Sequence, residues 1–377
     1  MKNRRYDIDA LRVLAFGILI LYHCGMLYVP GWSWHIKSSH SAEGLATLMQ
    51  FVNAWRMPLL FLISGAAIAF AAPERNLSRF IRQRAFRILF PLLMAMIFTV
   101  PLQAYVQAVA NHSIEPGLLS FLVRYFTFQP WPAGAFDGAE VGFTWNHLWY
   151  LPYLFMYTVL LLAVIKLVHG VLTKPLFILK IPAAWRFMLI YIGLGLFVTW
   201  LKMCVKPNFP ETHALYNDVF AHPYYFSFFC VGYWLGRPAA NSVWGSLSQY
   251  RVSLLLLALG CFVLMQTYQM IPLHSVYTLL MLATILGFGY HHLNDRENKL
   301  ARFSRAVFPW YILHQTYIVL LAYLVLPLQL GLWAEAFIVI VGTFMGCWVT
   351  YRYILLPLPI LHAAFGIFSR HTTRTHR

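Results

Sequence analysis

Asp9-Ala-Leu-Arg-Val-Leu-Ala-Phe-Gly-Ile-Leu-Ile-Leu-Tyr-His23-Cys-Gly-Met-Leu-Tyr-Val29 is the stretch that decides the fold. It is long enough to cross a bilayer as a helix, which takes about 20 residues. The stretch nevertheless contains Asp9, Arg12 and His23. Ionisable side chains are costly at membrane depth, and those that occur there face a protein interior or a wet cavity. We therefore predict a transmembrane helix that carries part of a functional site.

Helical periodicity puts Arg12 and His23 on one face of this predicted helix. They are eleven positions apart, which leaves them within about 20° of each other around the axis. The rise per residue separates them by about 16 Å along the axis. We expect a fixed cation near the cytoplasmic end and a titratable imidazole within the hydrocarbon, both facing one cavity.

The composition predicts an all-α polytopic membrane protein. With 60% hydrophobic and 11% charged residues, the chain has too little polar surface for a soluble protein of its length. No linker or repeat marks a second domain, so we assign residues 1–360 to one transmembrane domain and residues 361–377 to a polar basic tail. Hydropathy windows predict a bundle of about ten transmembrane helices, over residues 8–29, 45–72, 88–110, 147–169, 186–204, 221–236, 252–270, 274–293, 308–327 and 333–356.

The formal net charge of +16 follows the positive-inside rule and does not indicate a nucleic-acid partner. Basic residues concentrate in alternate short loops, as cytoplasmic loops require. This pattern predicts that both termini are cytoplasmic, and that the partners are the lipid bilayer and phosphate-bearing ligands from the cytoplasm. Five basic residues remain on the outer side of this topology: Lys37, Arg56, Arg124, Lys202 and Lys206.

The second predicted span combines polar residues with a helix breaker. Asn53 and Arg56 are about one turn apart, Pro58 bends the helix, and Ser64-Gly65 permits close backbone approach. A bent polar helix beside the first span would complete a cavity. Alternatively, Arg56 extends to the outer interface and Ser64-Gly65 is only a packing contact. The sequence leaves both interpretations open.

An arginine-rich segment follows at residues 73–91. Five arginines lie within 13 residues, and Arg75, Arg79 and Arg82 would face one way on a helix. Guanidinium groups bind phosphate in a bidentate manner, so these residues are candidates for binding a nucleotide phosphate. The same residues would also serve as an anchor to anionic lipid headgroups. Charge alone does not separate the two.

Two further histidines lie in predicted spans. His147 precedes Trp149 at the start of one span, where a histidine beside a tryptophan is typical of a membrane interface. His314 and Gln315 lie deeper in an apolar run, so each of their polar groups needs a partner. No Cys or His spacing typical of zinc is present, and we predict no metal.

Taken together, these motifs resemble the membrane acyltransferase-3 family. The resemblance rests on five motifs, which occur in the family's order over nearly the whole chain: Arg12-x10-His23, Trp55-Arg56-Met-Pro-Leu, Arg82-x-Arg84-x-x-Arg87, His147-Leu-Trp149 and Leu313-His314-Gln315. Two variants are most similar to its glucans biosynthesis protein C branch, which is associated with succinylation of periplasmic glucans. The chain differs from many members of the family at Trp149-Tyr-Leu-Pro152. Those members carry an acidic residue in this motif, so the role of that acidic residue cannot be transferred to this chain.

The resemblance implies a protein of the bacterial inner membrane that moves an acetyl or succinyl group from cytoplasmic acyl-CoA to a carbohydrate hydroxyl outside. His23 would be the general base or a covalent acyl carrier, and Arg12 would stabilise anionic charge on the donor side. Arg82, Arg84 and Arg87 would bind the phosphates of CoA. The expected substrate cavity is lined by Asp9, Asn53, Arg56, Ser64, His147, Trp149 and His314.

Two other classes fit part of the pattern. A proton-coupled secondary transporter also has ionisable groups in bent helices around a wet cavity, although the spans contain few acidic residues and no paired inverted halves. Membrane-bound O-acyltransferases also place a histidine in an apolar helix, but their residues of interest occur late in the chain. The early Arg12 and His23 pair favours the first family.

Overall fold

The structure, a computed structural model, describes residues 5–71, 76–171, 183–295 and 298–368 and contains no strand among them. The chain is an all-α polytopic membrane protein, as predicted. Its residues form two compact units. The first unit comprises Met1–Leu19, Thr47–Ile81 and Pro152–Ser304, and the second comprises Ile20–Ala46, Arg82–Leu151 and Arg305–Arg377. The helices are α1 (Tyr6–Gly25), α2 (Leu45–Ala71), α3 (Leu77–Phe98), α4 (Val100–Ala110), α5 (Leu118–Tyr125), α6 (Tyr150–Val171), α7 (Ala183–Trp200), α8 (Ala221–Leu235), α9 (Asn241–Gln249), α10 (Arg251–Tyr268), α11 (Ile271–Leu293), α12 (Lys299–Arg302), α13 (Val307–Val325), α14 (Leu332–Val349) and α15 (Pro359–His362).

Within the described residues, eight helices are long and apolar enough to cross a membrane, and the bent pair α3 and α4 makes nine if it is one span. The remaining predicted span, residues 221–236, is α8, whose 15 residues fall short of a bilayer's thickness. The predicted count of about ten is therefore approximate. The part of the tail from 369 to 377, and Arg75 in the arginine-rich segment, lie outside the described residues.

The first span ends earlier than the sequence predicts, at Gly25 instead of Val29. The four residues that follow remain buried or partly buried, but they form a turn. Lys37 stabilises this turn, because its ammonium group donates to the carbonyl oxygens of Met26 and Val29, each 2.6 Å away. Both carbonyls lie just beyond the last helical residue, where a cation is favoured.

The third predicted span starts earlier and bends. α3 begins at Leu77, so the helix also includes four arginines of the arginine-rich segment: Arg79, Arg82, Arg84 and Arg87. The axes of α3 and α4 differ by 43°. Pro101 accounts for the bend, because proline provides no N–H for the helix ladder and clashes with the preceding turn. Thr99 at the bend donates its hydroxyl to the carbonyl of Ala95, 3.0 Å away.

In the first unit, α2 and α8 pack backbone against backbone. A methyl group on Gly65 would overlap the carbonyl oxygen of Phe229, and one on Gly232 would overlap that of Leu62. Small residues permit this close approach of membrane helices. Gly65 is thus part of a packing contact, whereas the assignment of Ser64 to a substrate cavity stays a prediction.

The second unit has an apolar core made by the end of α1, by α13 and by α14, including Cys24, Ile318 and Val339. A separate aromatic cluster holds the segment from 111 to 146 on α4.

We expect Gly232→Ala to lower the melting temperature of the purified protein, because α2 and α8 would have to move apart. Overpacking of this kind costs about 1–3 kcal/mol, more than the helix propensity gained by replacing glycine with alanine. Gly193→Ala is the matched control, since a methyl group at Gly193 contacts nothing within 4 Å. An equal melting temperature for Gly232→Ala and the wild type, measured by fluorescence in detergent, would contradict this packing.

Candidate active site

Two imidazoles of the second unit form a hydrogen bond within one plane. Nδ1 of His23, in the last turn of α1, lies 2.9 Å from Nε2 of His314 on α13. The ring planes differ by only 5° and the ring centroids are 5.1 Å apart. Because an imidazole's N–H and lone pair lie in the ring plane, this edge-to-edge arrangement aligns donor and acceptor.

The backbone fixes which nitrogen carries each proton. Nδ1 of His314 lies 2.9 Å from the carbonyl oxygen of Tyr311 and 3.2 Å from that of Trp310. Carbonyl oxygens only accept, so Nδ1 of His314 is the donor and its Nε2 carries a lone pair. His23 must then donate from Nδ1, which leaves the lone pair of neutral His23 on Nε2. That atom is the basic nitrogen of the pair.

His147 completes a group of three histidines. Its ring centroid is 4.9 Å from that of His314 and 6.4 Å from that of His23. Its Nε2 donates to the carbonyl of Tyr311, 2.9 Å away, and the hydroxyl of Tyr311 donates back to the carbonyl of His147 at 2.6 Å. Nδ1 of His147 is buried and has no hydrogen-bond partner among the described residues. This lone pair is available to a ligand hydroxyl.

A network of carboxamide side chains lies beside the histidines. His35, which is 3% exposed, donates from Nδ1 to Oε1 of Gln107 at 2.7 Å and accepts from Nε2 of Gln315 at 2.6 Å. Gln315 follows His314 directly in α13. Gln103 accepts from Gln315 at 3.4 Å and donates to Thr316 at 2.7 Å. The network holds α4, α13 and the connection after α1 in one arrangement.

His35 is also close to a charged group. Oδ2 of Asp137 lies 3.9 Å from its Nδ1. Burial lowers the pKa of His35 below its ordinary value, and this effect outweighs the attraction of Asp137, which raises the pKa. His35 is therefore neutral near pH 7. This agrees with its hydrogen bonds, because Gln107 accepts from one ring nitrogen and Gln315 donates to the other, which leaves one proton on the ring.

The other predicted site residues divide between the two units. Arg12 and Asp9 lie on α1 in the first unit and face each other at 3.8 Å, Nη1 to Oδ1. Asn53, Arg56 and Ser64 are on α2 in the same unit, where Arg56 and Ser64 are buried and Asn53 is exposed. Trp149, in the second unit, closes the short helical turn Asn146–Trp149 that carries His147. Their assignment to a substrate cavity stays a prediction.

The arginines of α3 form two pairs around the helix. Three-residue spacing puts Arg84 and Arg87 on one side, and Arg79 and Arg82 on another, with Arg82 about 140–160° away from the first pair. Arg79, Arg82 and Arg87 are exposed. The guanidinium of Arg87 lies 5.2 Å from the ring centroid of Phe368. One phosphate group would meet one pair, and the assignment of Arg82, Arg84 and Arg87 to the CoA phosphates stays a prediction.

His35, Gln103 and Gln107 are not among the residues that the sequence predicts for the site. His35 lies in a connection between helices, where helical periodicity gives no signal. Gln103 and Gln107 are four residues apart in the apolar helix α4, and this spacing puts two amides on one face. Polar residues repeated on one face of a membrane helix are the signal that could have found them.

Comparison with known proteins identifies relatives over most of the chain. The family model described as an acyltransferase domain matches residues 5–352. Glucans biosynthesis protein C of Escherichia coli K12 is 22% identical over 329 residues, covering 83% of this chain and 81% of that protein. The protein of the same name from Escherichia coli O81 is 21% identical over the same shares. No solved structure matches the chain.

We expect acidification from pH 7.5 to 5.5 to destabilise the protein partly through His35. Its folded pKa lies below the unfolded value of about 6.5, so the unfolded chain binds more protons in this range and falling pH favours unfolding. His35→Gln should therefore show a smaller loss of melting temperature between these pH values than the wild type. His292→Gln, at an exposed position on α11, should lose as much as the wild type. An equal pH response in His35→Gln and the wild type would show that His35 is not held neutral.

Proposed function

Because the chain belongs to the acyltransferase-3 family and is a membrane acyltransferase, we propose that it transfers an acyl group from cytoplasmic acyl-CoA to a hydroxyl of a cell-envelope carbohydrate. The names of its relatives support a glucan as the acceptor. The group transferred would be acetyl or succinyl, as the resemblance of the sequence motifs implies. The observation that carries the proposal is the in-plane hydrogen bond from His23 to His314. It gives the chain an oriented base.

In the proposed reaction, Nε2 of His23 takes the proton from the sugar hydroxyl while the hydroxyl oxygen attacks the carbonyl carbon of the thioester. The C–S bond then breaks, and the proton on His23 passes to the sulfur. The products are the sugar ester and CoA with a free thiol. General base catalysis of this kind is worth about 10²–10⁴-fold, and an imidazole is suited to it because its ordinary pKa is near neutrality.

His314 is a positioning residue in this scheme. When His23 gains a proton, its Nδ1–H bond to His314 becomes charge-assisted and stronger. His314 in turn is anchored to backbone carbonyls, so the orientation of both rings is set before substrate binds. Nδ1 of His147 would accept a second hydrogen bond from the acceptor sugar.

The donor would be bound by cations on the cytoplasmic side. Arg84 and Arg87 share one side of α3 and suit a phosphate of CoA. The role of Arg12, which would stabilise anionic charge on the donor, rests on the family resemblance alone. We place the protein in the bacterial inner membrane with cytoplasmic termini. This orientation agrees with the positive-inside pattern and gives the arginines access to acyl-CoA from the cytoplasm.

His23→Ala should abolish transfer of labelled acyl groups from acyl-CoA to glucan, with a loss of at least about 10²-fold in kcat. The purified variant should keep the wild-type melting temperature within a few degrees. His314→Gln should keep part of the activity and shift the pH dependence of kcat/KM, because His23 would lose the partner that shares its charge. Mass spectrometry of the product identifies the acyl group and the acceptor.

His292→Ala is the matched control and should retain full activity, since that imidazole is exposed in the first unit. Full activity in His23→Ala would remove His23 from the chemistry. Label that stays on His23 in a single turnover without acceptor would identify a covalent acyl carrier in place of a general base. Solute counterflow without thioester consumption would instead favour a carrier.

Arg84→Gln combined with Arg87→Gln should raise the KM for acyl-CoA about tenfold or more and leave kcat within about twofold, because a phosphate contact stabilises ground and transition states equally. Arg79→Gln combined with Arg82→Gln is the comparison on the other side of α3. An unchanged KM in the first double variant would assign these arginines to lipid anchoring.

A further inference from the structure

The first unit contains a second cluster of ionisable side chains that the proposed reaction does not use. α7 ends at Trp200 and continues as a wider π-helical turn over Leu201–Val205. Such turns are rare and often occur at functional sites. This one carries Lys202, and Lys206 follows four residues later.

Lys202 is a buried amine that contacts an imidazole. Lys202 is only 9% exposed. Its Nζ lies 2.7 Å from Nδ1 of His274 on α11. As an ammonium group, Lys202 has only donors, so it donates to Nδ1 of His274. The ring proton of His274 is then on Nε2. The ring of Tyr224 is 5.2 Å from the ammonium. Among the residues that the structure describes, no carboxylate lies within ion-pair distance of Lys202.

The neighbouring carboxylate is already neutralised. Glu211 accepts from Nζ of Lys206 at 3.0 Å and from the hydroxyl of Tyr225 at 2.8 Å, and Nε2 of His213 is 3.5 Å away. Burial raises the pKa of Glu211, but His213 and Lys206 outweigh that effect and hold it at about 2. Glu211 is therefore paired with Lys206 and is not available to balance an ammonium at Lys202.

The predicted topology makes an ammonium at Lys202 unusual. Lys202 is one of five basic residues left on the outer side, where membrane proteins carry few. Three of the other outer basic residues have partners in the structure. Lys37 donates to the carbonyl of Met26, and Lys206 donates to Glu211. The guanidinium of Arg124 lies 4.0 Å from the ring centroid of Trp131. Burying a charge without an opposite charge costs several kcal/mol. A bound anion would offset that cost.

We propose that Lys202 and His274 form an anion-binding site at the outer end of the first unit, which takes a phosphate or carboxylate group. The ammonium has two N–H donors besides the one given to His274, and Nε2–H of His274 is a further donor. Lys206 and His213, both exposed, lie on the solvent side of the cluster. The anion belongs either to a lipid headgroup or to a charged substituent of the carbohydrate acceptor, and the second source rests on the proposed function.

Thermal unfolding of the full-length protein tests the site without any activity. Inorganic phosphate, titrated at constant ionic strength in detergent, should raise the wild-type melting temperature in a saturable manner by several degrees. Lys202→Met should lose this rise, whereas Lys202→Arg should keep it because the charge remains. Lys166→Met, at an exposed position in the same unit, should respond as the wild type does.

Two further probes separate the sources of the anion. Nanodiscs of phosphatidylcholine with added phosphatidylglycerol should stabilise the wild type but not Lys202→Met if a headgroup binds. If a charged sugar substituent binds, glucose 6-phosphate should stabilise the wild type but not Lys202→Met, and glucose should stabilise neither. If Lys202→Met does not purify as a folded protein, Lys202→Gln, which keeps a donor for His274, replaces it.

An equal phosphate response in Lys202→Met and the wild type would overturn the proposal. So would a wild type stabilised by neither phosphate nor phosphatidylglycerol. Because these outcomes do not depend on turnover, failure of the anion site is distinguishable from failure of acyl transfer.

Discussion

The carbonyl oxygen of Tyr311 accepts hydrogen bonds from two imidazoles, those of His314 and His147. Since a carbonyl can only accept, this one atom decides the tautomer of both rings and, through His314, that of His23. The basicity of His23 Nε2 and the open lone pair of His147 Nδ1 both follow from it. A backbone atom in a membrane helix cannot be changed by side-chain substitution, so the arrangement depends on the path of α13 itself.

The sequence predicts the fold class and the three histidines for different physical reasons. Apolar composition and helix length identify the spans, and the high cost of a polar group in hydrocarbon identifies His23 and His314. His147 appears as an interfacial residue, since nothing near it in the sequence shows that Tyr311 lies opposite. The direct hydrogen bond between His23 and His314 joins residues 291 positions apart, and no local pattern contains that information.

Helix ends and bends are predicted less well because they depend on partners from elsewhere. α1 ends at Gly25, and the apolar residues after it form a turn that Lys37 contacts. A hydropathy window does not detect such a turn. Arg82, Arg84 and Arg87 form a motif in the sequence, but a helix directs the first away from the other two. His35 gives no signal in the sequence, although it joins Gln107 and Gln315 and lies among the most buried polar side chains of its unit.

The carboxamides beside the histidines have a consequence for proton movement. Side-chain amides donate and accept hydrogen bonds, but they bind a proton far too weakly to relay one. Gln315 donates to His35, and Gln107 contacts both His35 and Asp137, which is 68% exposed. A proton on His35 is therefore not passed on through either amide. His35 joins α4 and α13 by hydrogen bonds without connecting them by proton transfer.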